Sequence, residues 1–444
     1  MSSVLPHMRS TLPGMGSTLR AALLIAACSV AISATAQQPA RPAYKHLGVG
    51  SCSSSVCHGK TKAQQGRDVA LNEYTIWSSP DDFHSKAYRT LSSPRSQAIA
   101  AKLGLASAST ATICLDCHAD NVPVAQRGPK FQLTDGVSCE ACHGGAEKWI
   151  ETHTQKSAGH RDNVSKGMYP SEQPLARAEL CLSCHMGTRD KFATHVIMGA
   201  GHPRLYFELE VFSYNQPPHY VVDEDYIARK GRIEQMNLWV TGQIENARRY
   251  LELLQTRLTV PDSFLPEFAL YDCFSCHHPM DKQRWTRARA GAGIQPGTLP
   301  LQRDYLVMMQ AVTEVLAPGE VGQLSAASEA LVRAGQKDAA SLRQEAQKLH
   351  AWIDGHDSWT RRQYAPGEIA SVRKTVLRYA AQDKASDFST AEQSVMCVES
   401  LSYALGDHDR HKAALDALYG AIKSASAFDP TQFAATARSV GAQF

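Results

Sequence analysis

The clearest hydrophobic periodicity in the chain runs from Ile233 to Leu258. Apolar residues recur at Ile233, Met236, Val240, Ile244, Ala247, Leu251, Leu254 and Leu258, in steps of three and four that line one face of a long helix. Pro261 is placed to stop it. Similar patterns at 301–316, 321–352, 366–383, 389–405, 409–424 and 430–441 predict a C-terminal helical bundle. Ser389 with Glu392 reads as a capping box, and Asp429 before Pro430 as a further helix start. Ahead of the long helix the apolar runs are short. One helix is legible through Ala98–Leu103, where Ser93 can cap, Pro94 fits the first turn and Gly104 can end it. The remainder scatters Gly, Ser and Pro among short helical segments.

The N-terminus breaks this pattern. Arg9 and Arg20 precede a short apolar stretch, Ala21 to Ile32, and Ala34-Thr35-Ala36 fits a small-residue cleavage site with Gln37 as the first mature residue. This predicts an export signal over 1–36 and a periplasmic destination. The run Ile25-Ala26-Ala27-Cys28 also fits a lipoprotein processing box, which leaves lipid anchoring open. No later run approaches the length of a membrane span. The formal charge of +3 falls to +1 once Arg9 and Arg20 are removed, and there is no basic stripe, so nucleic acid is not an expected partner.

The cysteines supply the chemistry. Of the twelve, ten form five pairs, each followed at once by histidine. Four pairs are Cys-x-x-Cys-His: Cys114, Cys117 and His118; Cys139, Cys142 and His143; Cys181, Cys184 and His185; Cys273, Cys276 and His277. The fifth is wider, Cys52 and Cys57 before His58. On a helical turn these positions share a face. Two thiols can then add to the vinyl groups of one porphyrin while the adjacent imidazole reaches its iron, the reading this spacing carries. The wider site cannot be one regular turn, and its serines are expected to bulge. Export would also allow disulfides and paired cysteines can bind zinc, but neither needs a histidine after every second cysteine. Five covalent haem c groups are therefore expected, around which short helices and loops can fold. Cys397 lies in an apolar helical pattern and reads as a buried thiol.

Six-coordinate iron would need a second histidine at each haem. The region 46–285 offers His46, His84, His153, His160, His195, His202, His219 and His278. The expected metal ligands opposite the motif histidines are His84, His153, His195, His202 and His219, with His46 and His278 as substitutes. Gly199 and Gly201 beside His202 would let backbone approach a flat porphyrin, and Arg204 is positioned to pair with a propionate. His350, His356, His408 and His411 fall in the helical bundle and read as surface or capping residues.

These residues resemble the cytochrome c-554 and hydroxylamine-oxidoreductase-like multihaem cytochromes. The resemblance is carried by Cys52 to Gly59, by Trp77 with His84 to Tyr88, by Gly136 to Gly144 with Trp149 and His153, and by Gly201 to Leu205. It covers about residues 46–285 and implies periplasmic stacks of mostly bis-histidine haems, with His84 and His153 as distal ligands. Some members carry one five-coordinate haem that binds small nitrogen compounds. The type member is a smaller, four-haem protein, and where the family often has Pro-Gly after Cys-His-Gly this chain has Gly145 after Gly144.

The expected fold is mainly α, with a signal peptide over 1–36, a multihaem cytochrome c domain over 37–286, a linker over 287–300 and a C-terminal helical domain over 301–444. The expected function is electron transfer with redox protein partners or quinol-linked oxidoreductases; oligomeric state is left open, and no catalytic residue is singled out. The alternatives are an oxidoreductase acting on hydroxylamine, nitrite or nitric oxide at an open haem, and a conduit subunit of a larger assembly. No Cys-x-x-Cys-Lys motif is present, which weighs against a catalytic haem of the nitrite-reductase type.

Overall fold

The computed structural model describes residues 43–64, 70–155, 157–259, 265–278, 297–382 and 384–444. The expected signal peptide with Cys28, the expected helix stop at Pro261 and most of the expected 287–300 linker lie outside them. Among the described residues the chain is mainly helical, with eighteen α-helices, no β-strand and three isolated β-bridges. No helix among them is long and apolar enough to cross a membrane.

The long helix is observed as Gln235–Thr256. It is buried on more than its apolar stripe: Trp239, Val240, Thr241, Gln243, Ile244 and Asn246 are all fully enclosed. Gly242 shows why the enclosure is tight, since a Cβ there would lie 2.7 Å from Cβ of Leu209. Its apolar residues share one core with Leu306, Met309, Leu324, Leu349, Val376, Leu401 and Phe433 from the helices beyond residue 301. Fully burying a side chain of this size stabilises the fold by about 1.5–3 kcal/mol.

The later helices are Asp304–Leu316, Val321–Gly335, Ala339–Asp354, Pro366–Ala381, Phe388–Leu405, Lys412–Ala421 and Pro430–Gly441. The continuous pattern over 321–352 is thus two helices. Gly335 ends the first, and the Asp338 carboxylate accepts from the Ser341 amide to start the second. The capping box at Ser389 and Glu392 also gives way. Asp387 is the cap, accepting from the Thr390 amide at 2.7 Å, and Ser389 lies inside the helix. Asp429 and Pro430 do start the last helix, and Ser93 caps Pro94–Lys102 by accepting from Ser96. Deep in the bundle Arg373 makes a two-pronged ion pair with Asp407, at 2.6 and 2.9 Å.

Residues 43–230 are built differently. Their helices are mostly of four to nine residues, and their apolar clusters are small: one around Leu91, Ala100, Ala108, Leu115 and Ala119, another around Ala178, Leu182, Phe207, Leu209 and Leu238. Clusters of this size cannot alone offset the chain entropy of so many loops, so the region calls for a further apolar filling.

Candidate haem-binding site

Three of the cysteine pairs sit on helices whose last residue is the motif histidine: Thr112–His118, Cys139–His143 and Pro174–His185. The Cys273 pair occupies a tight turn closed by the His277 amide donating to the Cys273 carbonyl at 2.8 Å. The wider first pair forms a turn closed by the His58 amide on the Cys52 carbonyl at 3.1 Å, in keeping with its length. All ten of these cysteines are free of disulfides. The thiol of Cys52 meets that of Cys139, and Cys117 meets Cys184, so the first motif lies beside the third and the second beside the fourth. Cys184 is held below the ordinary thiol range by the Cys117 hydrogen bond, with Lys191 Nζ 3.0 Å from its sulfur adding to the effect.

Each motif histidine faces one other histidine. His58 faces His153 with ring centroids 6.2 Å apart, His185 faces His84 at 6.3 Å, and His118 faces His202 at 6.3 Å. His143 faces His219 at 6.2 Å, and His277 faces His195 at 6.3 Å. A metal–imidazole nitrogen bond is about 2 Å and the nitrogen lies about 1 Å from its ring centre, so two imidazoles on opposite sides of one metal hold their centroids about 6 Å apart. Direct stacking would bring the rings closer. Among the described residues no group of three or more His, Cys, Asp or Glu side chains could hold a metal ion. Two imidazoles at this spacing suit a metal whose other ligands come with it, as in a porphyrin.

His46 and His278 stand outside these five pairs. His46 is buried with Nδ1 2.7 Å from Asp120, whose carboxylate also accepts from Ser138. The His278 ring lies against Phe274. His160 is bonded to Glu172 at 2.8 Å. Arg204, expected on a propionate, forms both its short bonds, 2.7 Å each, with Glu392.

Local structure explains how the five distal rings are aimed. His153 donates its amide to the Trp149 carbonyl, and the buried Trp149 indole meets its ring edge-on at 5.4 Å. The His84 carbonyl accepts from the Val137 amide, beside Gly136, whose positive φ of 73° and closeness to that carbonyl exclude a Cβ. His195 is drawn to the last motif by Glu267, which accepts from its amide at 2.7 Å. Arg95 and Lys102 hold the loop before His202 by donating to the Gly201 and Ala200 carbonyls. His219 follows Pro217 and Pro218, which stiffen its approach.

Burial favours the neutral, metal-binding form of five of these ten imidazoles. His143 is pushed down to about 3 by burial, helped by His219, and His185 to about 4 by burial and His84. His118, His153 and His219 are lowered chiefly by burial. His58 departs from these five: its hydrogen bond to Glu73 raises it. The surroundings are also apolar where no side chain covers them. Val56, Phe83, Ile113, Val196, Val221 and Val222 are exposed, and each lies within three residues of a motif cysteine or of one of the paired histidines. Exposed apolar residues beside these cysteines and histidines are compatible with an apolar group seated there, although Val124, Tyr214, Leu265 and Leu299 are exposed away from them.

Sequence reasoning left the choice of distal partner open. It missed Glu73, Asp82 and Glu267, whose role appears only once the chain folds back on the histidines. Residues 51–144, which hold three of the five motifs and His84, match a family model described as cytochrome c554 and c-prime. No curated protein and no solved structure matches the chain. Over that segment the chain resembles the c-type cytochromes of this family, with covalently bound haem c and a role in electron transfer.

Proposed function

We propose that this chain is an exported, periplasmic carrier of five covalently attached haems, each ligated by two histidines, passing electrons between redox protein partners. The observation that carries the reading is the set of five histidine pairs, each containing one motif histidine and each separated by 6.2 or 6.3 Å. Bound haem supplies a reversible one-electron change at iron. The chain's own residues would do the rest: the cysteine pairs would anchor the group, the paired imidazoles would hold its metal from two sides, and apolar side chains would exclude water.

The helices beyond residue 301 have a place in this scheme. Glu392 grips Arg204, Gln393 donates to the Phe207 carbonyl at 2.9 Å and Ser400 donates to Glu208 at 3.2 Å. Phe207 stacks on His185 with centroids 4.8 Å apart. The bundle thus braces the 202–210 segment, which carries one distal histidine and the aromatic wall of another site.

The test is the mass of the denatured holoprotein with its visible and electron paramagnetic resonance spectra. Five haem masses and low-spin iron throughout are expected. A mass fitting four would remove the Cys52 and Cys57 site from the scheme, and high-spin iron at one haem would break the bis-histidine assignment.

A further inference from the structure

The five histidine pairs differ in what holds the far nitrogen of each ring. Three of the rings are held by a neutral carbonyl. His118 Nδ1 lies 3.1 Å from the Ala87 carbonyl and His202 Nδ1 2.7 Å from that of Pro203; His153 Nδ1 is bonded to the Ile150 carbonyl. Two rings instead meet a carboxylate. His58 Nδ1 lies 2.9 Å from Glu73 Oε2, and His84 Nδ1 lies 3.1 Å from Asp82 Oδ1.

Both carboxylates are built into position. Glu73 opens the Glu73–Trp77 helix, and its second oxygen accepts from the Leu71 amide at 3.2 Å. Leu71 is the one described non-glycine residue with positive φ, 56°, a strained conformation for a leucine. The strained residue sits where its amide can hold Glu73. The helix is tied back by the Tyr74 amide donating to the His58 carbonyl at 3.0 Å. Asp82 is almost fully buried, and its Oδ1 also accepts from the His84 amide at 2.9 Å.

A ligating imidazole that donates its second N–H to a carboxylate is a more basic ligand, which favours the more highly charged metal. We propose that Glu73 and Asp82 are tuning residues that set the His58/His153 and His84/His185 haems at the low-potential end of the five. The proposal rests on the bis-histidine reading. It divides the sites into two classes: two that prefer the ferric state and surrender an electron readily, and three that accept it.

Spectroelectrochemical titration of the holoprotein tests this, comparing wild type with Glu73→Gln, Asp82→Asn and the exposed control Glu151→Gln. Each amide keeps an acceptor oxygen but loses the charge. Expected is that one low-potential component moves upward in each tuning variant while five low-spin haems remain; a tenfold loss of ferric preference corresponds to about 59 mV for one electron. Shifts no larger than in Glu151→Gln would overturn the proposal. If a tuning variant loses haem, the near-infrared charge-transfer bands of the ferric wild type decide, since their energy follows axial-imidazole basicity. Two haems in a more basic class are expected, and one uniform class overturns the idea. A wild type with missing or high-spin haem would instead defeat the parent reading.

Discussion

The imidazole planes of His143 and His219 cross at 89° with their centroids 6.2 Å apart. His58 and His153 are equally far apart, yet their planes lie within 12° of parallel. The His84/His185 and His118/His202 pairs cross at 77° and 84°, and the His195/His277 pair is intermediate at 38°. Parallel axial imidazoles split the two iron orbitals that receive their π electrons, while crossed imidazoles leave them nearly degenerate. The ferric protein is therefore expected to show one well-resolved rhombic low-spin signal from the parallel pair and three strongly anisotropic ones from the crossed pairs. Electron paramagnetic resonance of the oxidised protein measures this directly. Five similar rhombic signals would contradict the ring orientations.

Glu140 lies between Cys139 and Cys142 and shows how a charged residue inside a paired-cysteine turn can be structural. It is buried, and it accepts from three backbone amides: Leu47 at 2.7 Å and Ala146 at 2.8 Å on one oxygen, Gly48 at 2.7 Å on the other. Charge-assisted bonds of this kind tie the entering chain to the Cys139–His143 turn. Glu140→Gln would set an amide donor against one of these N–H groups and is expected to cost about 1–3 kcal/mol, with Glu140→Ala, which orphans all three, costing more. Denaturant unfolding of the holoprotein, read by absorbance and by haem content, measures the loss. Stability equal to wild type in the alanine variant would show that the three amides find other partners.

The core carries carboxyls that favour the protonated form. Burial, with Glu210 nearby, pushes Glu208 up to about 8 from an ordinary 4.5, and burial with Asp387 pushes Asp304 to about 8. Across the window between those values the folded chain holds protons that the unfolded chain has lost. Stability from these groups is thus fullest at the acid end, declines as pH rises toward about 8, and is level above it. Thermal unfolding between about pH 5 and about pH 9 is expected to show this decline, and Glu208→Gln to flatten it. An unchanged slope in the variant would assign the decline to other groups.

The periodic stretches were the most legible part of the chain. The long helix and the C-terminal helices follow three-and-four spacing closely, because their stability comes from burying that stripe. The errors there are local: at 321–352 a capping aspartate, Asp338, outweighed an unbroken apolar pattern, and at 387–392 Asp387 took the capping place while Glu392 turned to Arg204. The cysteine motifs were legible for a covalent reason, since their spacing is set by local geometry. The pairing of histidines was not. His58 meets His153 and His84 meets His185 only through contacts such as Trp149 on His153 and Val137 on the His84 backbone, which have no local signature.

Cys397 separates attachment chemistry from packing. It is fully buried in the Phe388–Leu405 helix, within the large core, and burial raises its thiol well above the ordinary range. A thiol held protonated and enclosed is a poor nucleophile. Cys397→Ala is expected to leave the haem mass unchanged and to cost about 1 kcal/mol from the small cavity left behind. Loss of one haem mass on this substitution would show that the residue takes part in attachment.

The last prediction decides whether every iron is closed. In the scheme proposed here, removing a distal ring leaves the haem attached through its cysteines and motif histidine but with one axial position vacant. His153→Ala and His202→Ala should each create one carbon monoxide site in the reduced protein. His46→Ala should create none, because that ring is engaged with Asp120 at 2.7 Å and stands outside the five pairs; its effect should appear in stability, through a carboxylate left buried without its partner. Photometric titration with carbon monoxide counts the sites. The wild type should bind it poorly at every haem. Stoichiometric binding at one wild-type haem would mean that a distal histidine leaves its iron on reduction or never reaches it. An open iron of that kind, rather than a carrier with all sites closed, would then be the starting point for assigning chemistry to this chain.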